Sequence, residues 1–356
     1  MKQKLIFTEL VGEPLDGLVA ETGTSQVIVI ADTNTVRLVL PRLAWQSKTA
    51  STAKVITVEA GDDNKTLDSL TGIWQKLSEL EATRNSMVVN LGGGMVSDLG
   101  GFAAATFKRG MRCVNIPTTL LAAVDASVGG KTGINFNGFK NQVGAFAEPV
   151  ASIISTTYFD TLPREEILSG YGEMLKHGLL EGPDAFAKLL MVDPEELVGK
   201  GAGLLGPLER SVMVKSRIVA QDPTEAGLRK ALNLGHTVGH AFEAYSYRRN
   251  KPVPHGYAVA WGLIVELVLS HMYLGFPTEP LHQLADYVYR NYGAFAINCD
   301  DYEALTASMR QDKKNARADQ INFTLLSALG QAHINQTVPS AQIGAALDIY
   351  RDLMHL

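Results

Sequence analysis

The chain has 356 residues, 46% of them apolar and 19% charged, with a formal net charge of −5. That length supports two domains with sizeable cores, the composition is that of a folded globular protein, and the negative balance argues against nonspecific nucleic-acid binding. Only Cys113 and Cys299 occur, so a structural disulfide is not expected, a thiolate zinc site is excluded, and any metal must rest on His, Asp or Glu.

The opening segment MKQKLIFTEL has no apolar run with a cleavage site, so no signal peptide is read. No later segment approaches the roughly 18 uncharged apolar residues of a membrane span, and a cytoplasmic protein is expected. Residues 26–31 (QVIVIA) form a β-branched run ending at Asp32, and Lys54 to Val58 form another. Leu67, Leu70, Ile73, Trp74, Leu77 and Leu80 then recur near a 3.6-residue period, which predicts a helix from Thr66 to about Glu81. Met87 to Leu91 is a third strand, stopped by Gly92-Gly93-Gly94, and Val114 to Ile116 and Ser152 to Ile154 complete the series. Strands alternating with helical patterns predict an open, largely parallel α/β sheet.

From Pro163 onward helical periodicity dominates, through 164–220 and 236–320, with a strand pair expected at 321–327 and 332–335. An amphipathic helix is expected from about Ser340 to Leu353. The predicted layout is an α/β domain over 1–160 followed by a mainly helical domain over 161–356, with the cleft between them as the default active-site location.

The triple glycine stands where a strand ends and a helix begins, so its backbone can approach an anion and the helix can present free N–H groups to it. It departs from the GxGxxG fingerprint because Ser97 occupies the third glycine position. A tight strand-to-helix turn is an equally weighted reading of this segment alone. Asp32 and Lys65 could hold ribose hydroxyls, although an Asp at a strand end is more often a helix cap. Gly129-Gly130-Lys131-Thr132 resembles the tail of a P-loop, but Asp125 stands where its leading glycine belongs, and a nucleoside triphosphatase is rejected. Asp125 and Lys131, followed by Lys140 and Asn141, read instead as the polar groups of a pocket wall.

In Leu234-Gly235-His236-Thr237-Val238-Gly239-His240 two imidazoles lie four apart, on one face of a helix. Thr237 stands where a metalloprotease of the HExxH type would carry glutamate. His255 follows in Pro254-His255-Gly256, and Glu173 and Lys176 share a helix face in GEMLKHG. Each histidine alone is more often structural than a ligand; their company with Glu173 in one domain favours a metal site of the kind zinc accepts, without deciding between His236 and His240. His177, His271, His282, His333 and His355 have no such company. Lys215, Glu225, Arg229 and Asn233, with Asp312, Lys313 and Lys314, supply further polar groups to the second domain.

Six blocks, GGGMVSDLGGFAAATFKRG, IPTTLLAAVDASVGGKTGIN, KNQVGAF, GEMLKHG, GLRKALNLGHTVGHAFE and PHGYAVAWG, resemble successive motifs of the dehydroquinate synthase family, in the family's order and across about residues 26–330. The resemblance implies a two-domain fold, a homodimer, NAD on the α/β domain and zinc on the helical one, with cobalt as an alternative. It implies Glu173, His236 and His255 as metal ligands and His240 as the catalytic histidine. Arg109, Asp125, Lys131, Asn141, Lys176, Lys215, Arg229, Asn233 and one of Lys313 or Lys314 would meet substrate, and Glu225 matches a proton acceptor. NAD would meet Asp32, Asn34, Asp62, Lys65, Gly93, Gly94, Asp98, Thr118, Thr119, Lys140 and Thr161. The family usually carries Glu where Asp62 stands, Tyr at His177 and Ser at Ala126.

The chemistry so implied converts 3-deoxy-D-arabino-heptulosonate 7-phosphate to 3-dehydroquinate and phosphate. It runs by transient oxidation, phosphate β-elimination, re-reduction and intramolecular aldol closure. Rival readings are another sugar phosphate cyclase whose substrate lacks the C1 carboxylate, a metal-dependent polyol dehydrogenase, and a catalytically dead ligand-binding protein.

Overall fold

A computed structural model describes residues 3–137, 139–199, 203–310 and 321–356. The chain forms two compact units, one of residues 1–163 and 197–212, the other of residues 164–196 and 213–356.

The first unit is built on six parallel strands: β1 (Lys4–Phe7), β2 (Val27–Asp32), β3 (Lys54–Val58), β4 (Met87–Gly92), β5 (Arg112–Pro117) and β8 (Ala151–Ile154), in the order β1-β8-β5-β4-β2-β3. The central strand β4 is buried throughout, as a parallel strand covered on both faces must be. Val29, Val89, Val114 and Ile153 pack on one face with Leu15, Leu18 and Leu43. Ile28, Ile30 and Val88 pack on the other with Leu70, Ile73, Leu77 and Leu99. The period read over 66–81 is that of the observed helix Leu67–Glu79, whose N-cap Thr66 accepts from the Ser69 N–H. Two features were not foreseen. β1 is a four-residue strand paired only to β8, too short to carry a pattern. β6 (Lys131–Phe136) and β7 (Phe139–Phe146) form an antiparallel hairpin in the stretch read as a pocket wall. β7 is exposed along almost its whole length, so the inside-outside alternation that marks a strand is missing.

The second unit is mainly helical. Its helices include Arg164–Glu181, Pro183–Leu190, His236–Arg248, His255–Leu274, Thr278–Tyr292, Tyr302–Arg310 and Ser340–Leu353, with one antiparallel pair, β9 (Ile321–Ala328) and β10 (Gln331–Val338). The helix Leu205–Gln221 contributes residues from Met213 onward. His255–Leu274 corrects one expectation: among the described residues it alone is long and apolar enough to cross a membrane. Its burial explains the composition. Val259, Leu263, Ile264, Val265, Leu267 and Leu269 are fully enclosed, so the helix is apolar all round because protein surrounds it.

Two backbone crossings set the spacing of this core. A Cβ on Gly256 would lie 1.7 Å from the Ser169 carbonyl oxygen, and one on Gly172 would lie 2.3 Å from that of Gly256. Only glycine permits the helices Arg164–Glu181 and His255–Leu274 to touch there, one residue from Glu173 and from His255. The Gly256 N–H also donates to Ser169 Oγ at 3.1 Å.

Candidate metal and cofactor sites

In the second unit one atom each of Glu173, His236 and His255 lie within 4.8 Å of one another. Glu173 is fully buried at the middle of its helix. Its Oε2 accepts from Lys176 one turn on, while its Oε1 makes no hydrogen bond. That oxygen lies 3.2 Å from His236 Nε2 and 3.4 Å from His255 Nε2. The other ring nitrogens are engaged: His236 Nδ1 lies 3.1 Å from the Leu234 carbonyl and His255 Nδ1 3.0 Å from Glu243 Oε2. A carbonyl or carboxylate only accepts, so each Nδ1 carries the proton and each Nε2 of a neutral ring presents a lone pair. Lone pairs of two neutral imidazoles and a carboxylate converging on one point repel unless a cation lies there, a proton on His255 Nε2 in the metal-free chain or a metal ion in its place. The donor set is one that zinc or cobalt takes, and three protein ligands leave positions for further oxygens.

Electrostatics separate the two imidazoles. Burial and the Lys176 charge push His236 down to about 3. Burial acts in the same direction on His255, but Glu173 and Glu243 override it and raise the ring to about 10. Burial alone would raise the Glu173 carboxyl; Lys176 and the imidazoles hold it well below the usual carboxylate range. His240, whose spacing left it equal to His236, lies one turn further, with its ring centroid 5.3 Å from that of His236 and 5.8 Å from that of His255. It borders the cluster without belonging to the three that converge.

The polar groups ahead of His236 sit on a short turn. Leu228–Asn233 packs against the helix Arg164–Glu181 and against β9 and β10. Arg229 is buried, donating from its guanidinium to the Pro223 carbonyl at 2.6 Å, while Asp222 accepts its N–H at 3.0 Å. Asn233 donates to Glu225 Oε1 at 3.4 Å, and Lys215 is buried on the helix Leu205–Gln221. Asp312, Lys313 and Lys314 lie outside the described residues.

In the first unit Gly93 caps the helix Gly94–Thr106 without a side-chain contact. The first-turn N–H groups of a helix point past its cap and have no partner within it. A Cβ on Gly92 would lie 2.5 Å from Val96, and one on Gly93 3.3 Å from Thr119, so the bend is open because side chains are absent. Lys65 is buried between Asp62 Oδ1 at 3.1 Å and Asp98 Oδ2 at 3.2 Å, and Lys140 reaches Asp62 at 3.6 Å. Burial raises the Asp98 carboxyl to about 6 against the pull of Lys65. The hairpin is tied to this group, since Asn135 donates to the Asp62 carbonyl and accepts from the Asn141 N–H. Asp32 is engaged with the helix that follows it: its Oδ1 caps Thr33–Leu38, accepting from the Asn34 and Thr35 N–H groups at 2.9 Å. Thr118 donates its N–H to the Gly92 carbonyl, Thr119 Oγ1 accepts from the Ala122 N–H, and the Thr161 hydroxyl is turned onto the Tyr158 carbonyl. Asp125 is half-buried on Ala122–Ala126, and Arg109 and Lys131 are exposed.

Two buried carboxylates escaped the sequence reading. Glu243 holds the His255 ring, and Glu266 accepts from the N–H groups of Gly235, Thr237 and Val238 at 2.7, 2.9 and 3.2 Å. The available signal was a glutamate inside a run that is otherwise wholly apolar, Trp261 to Leu269.

Known proteins resemble this chain along most of its length. The family description "3-dehydroquinate synthase N-terminal" matches residues 55–169, and "3-dehydroquinate synthase C-terminal" matches residues 170–315. The 3-dehydroquinate synthase of Parabacteroides distasonis is 46% identical over 351 residues, 99% of this chain and 98% of that one. The one from Pyrococcus furiosus is 37% identical over 334 residues, 93% of this chain and 94% of that one. A solved structure of 2-deoxy-scyllo-inosose synthase, complexed with carbaglucose-6-phosphate, NAD+ and Co2+, shares the fold with a TM-score of 0.80 at 22% identity. It covers 96% of this chain and 95% of that one. With matches that span both units and a relative 46% identical along nearly its whole length, the chain belongs to the 3-dehydroquinate synthase family.

Proposed function

We propose that this chain converts 3-deoxy-D-arabino-heptulosonate 7-phosphate to 3-dehydroquinate and phosphate, using NAD that is regenerated in each turnover and one zinc or cobalt ion. The observation that carries the metal half of this reading is the buried Glu173 Oε1, without a hydrogen bond yet 3.2 and 3.4 Å from two imidazole nitrogens. Residues 1–160 are read as the NAD-binding domain and 161–356 as the metal- and substrate-binding domain. The working form is read as a cytoplasmic homodimer.

Glu173, His236 and His255 would hold the metal, and the open backbone at Gly93 and Gly94, with Asp62, Lys65, Asp98 and Lys140, would hold the cofactor. When bound, the metal supplies a Lewis acid for a substrate hydroxyl or ketone, and NAD supplies a hydride acceptor and donor. The chain's own residues then do the rest. Lys215 and Arg229, already buried, would meet the substrate's anionic groups without first being desolvated, and a guanidinium suits a two-point contact with carboxylate or phosphate. Lys176 neutralises part of the Glu173 charge, so that carboxylate stays ionised as a ligand at neutral pH. His240, beside the ligand imidazoles, is read as the group that takes and returns a proton. Glu225, hydrogen-bonded to Asn233, is a second acceptor. Arg109, Asp125, Lys131 and Asn141 on the first unit, with Lys313 or Lys314, complete the substrate contacts in this reading.

A substrate panel tests it. With NAD and zinc present, turnover of the heptulosonate phosphate and none of sedoheptulose 7-phosphate, which lacks the C1 carboxylate, supports the reading. The reverse preference would assign the chain to another sugar phosphate cyclase activity.

A further inference from the structure

The two helices that open on the ligand imidazoles each carry a buried carboxylate directed at the other. His236 begins the helix His236–Arg248, which two turns in carries Glu243, and Glu243 accepts from the His255 ring at 3.0 Å. His255 begins the helix His255–Leu274, which three turns in carries Glu266. Glu266 accepts from the N–H groups of Gly235, Thr237 and Val238, the backbone on either side of His236. Both carboxylates are buried. Between them the helices touch backbone to backbone, since a Cβ on Gly262 would lie 2.1 Å from the Gly235 carbonyl oxygen.

We propose that Glu243 and Glu266 are reciprocal positioning residues, each set on the helix of one ligand imidazole and holding the other ligand's helix start in the orientation that receives the metal. The inference rests on the metal reading above and extends it to residues that do not touch the ion. Glu243 acts through a ring nitrogen: by accepting from Nδ1 it fixes the tautomer and the rotation of His255, leaving Nε2 to the metal. Glu266 acts through the backbone. A carboxylate with two acceptor oxygens can satisfy three N–H groups at a helix start, and so replaces the Ser, Thr or Asp cap that the sequence lacks there. Gly235 is the residue before the helix, with φ +77°, and a Cβ there would lie 2.7 Å from the Leu263 side chain, so the helix start has no capping side chain of its own.

Cobalt is the probe, because its uptake can be read by chelator competition and its absorption bands report ligand geometry without substrate or NAD. Loss of such a partner costs about tenfold to a hundredfold in metal affinity. Glu243→Ala is expected to weaken Co2+ binding by that factor and to alter the cobalt bands, while the metal-free protein loses less in stability than the metal site loses in affinity. Glu243→Gln, whose amide oxygen can still accept from Nδ1, is expected to recover most of the affinity. Glu266→Gln, which turns an N–H toward an N–H, is expected to weaken Co2+ binding and to lower the melting temperature of the metal-free chain. Co2+ affinity in Glu243→Ala within about twofold of the wild type would overturn the proposal. So would a loss that Glu243→Gln fails to reverse, or one matched by an equal loss of stability in the metal-free protein. A wild-type chain that takes up no Co2+ would overturn the metal reading and this inference together; the other adverse outcomes overturn this inference alone.

Discussion

The two units hold their candidate sites by opposite means. In the second unit the site is side chains: a buried carboxylate and two imidazoles brought together by glycine crossings and fixed from behind by Glu243, Glu266 and Lys176. In the first unit the central feature is backbone, the bend at Gly92 to Gly94, with charged side chains that pair with one another around Lys65. A side-chain site depends on who the residues are and on what holds them. A backbone site depends on what is missing, and tolerates any change that leaves it open.

The largest effect should come from the side-chain site. His255→Ala is expected to remove metal and activity together, lowering kcat/KM on the order of a thousandfold, the scale for losing a preorganised electrostatic stabiliser. Metal analysis beside kinetics checks this, and full zinc occupancy in the variant would mean the ligand is another residue. A second change should break the other half alone. Gly93→Val fills the bend toward Thr119 and is expected to weaken NAD binding by about tenfold, with Co2+ affinity untouched. Calorimetry with each ligand separates the two; loss of both affinities would erase the distinction between the units.

The electrostatic asymmetry of the imidazoles gives a pH test. His236 is already neutral, being pushed down to about 3, whereas His255 in the metal-free chain stands near 10. Metal binding at neutral pH should therefore release about one proton, and Co2+ affinity should rise about tenfold per pH unit between about pH 7 and 9. The same group stabilises the metal-free fold in the opposite sense. Its folded value lies above the ordinary 6.5, so its contribution is complete below that value and is lost as pH rises through about 10. A Co2+ affinity independent of pH would contradict the assignment of proton and ligand to His255.

The smallest effect belongs to the first unit. Asp98 is raised from 3.8 to about 6 by burial, against Lys65, so as pH climbs through that window the unfolded chain gives up its proton first and stability falls. Asp98→Asn should flatten that slope by about 1 kcal/mol per pH unit in urea melts across the window. An unchanged slope would mean that Lys65 fully compensates the buried charge.

Legibility in the sequence follows the same division. The parallel strands were readable because buried β-branched runs alternate with helical periods, and the helix Leu67–Glu79 because its apolar stripe is regular. Glu173, His236, His240 and His255 could be singled out because metal-binding chemistry is confined to few residue types; spacing left His236 and His240 equivalent, and the family resemblance chose between them. The structure distinguishes them through the helix start: His236 is its first residue, with its ring nitrogen on the Leu234 carbonyl. Glu243 went unread because a glutamate seven residues along an amphipathic helix looks like a solvated face. Its burial arises from a neighbouring helix that the local pattern does not contain. Asp32 shows the converse, a strand-end carboxylate whose local role was legible: one of its oxygens caps the helix that follows.

The most direct test of the proposed chemistry uses the purified chain with zinc, substrate in large excess, and NAD at less than the substrate concentration. Phosphate and NADH are followed in one reaction. The account predicts that all of the heptulosonate phosphate releases its phosphate while NADH stays at no more than the enzyme concentration, because each hydride removed is returned. NADH accumulating in step with substrate consumed, with turnover halting when NAD runs out, would contradict it.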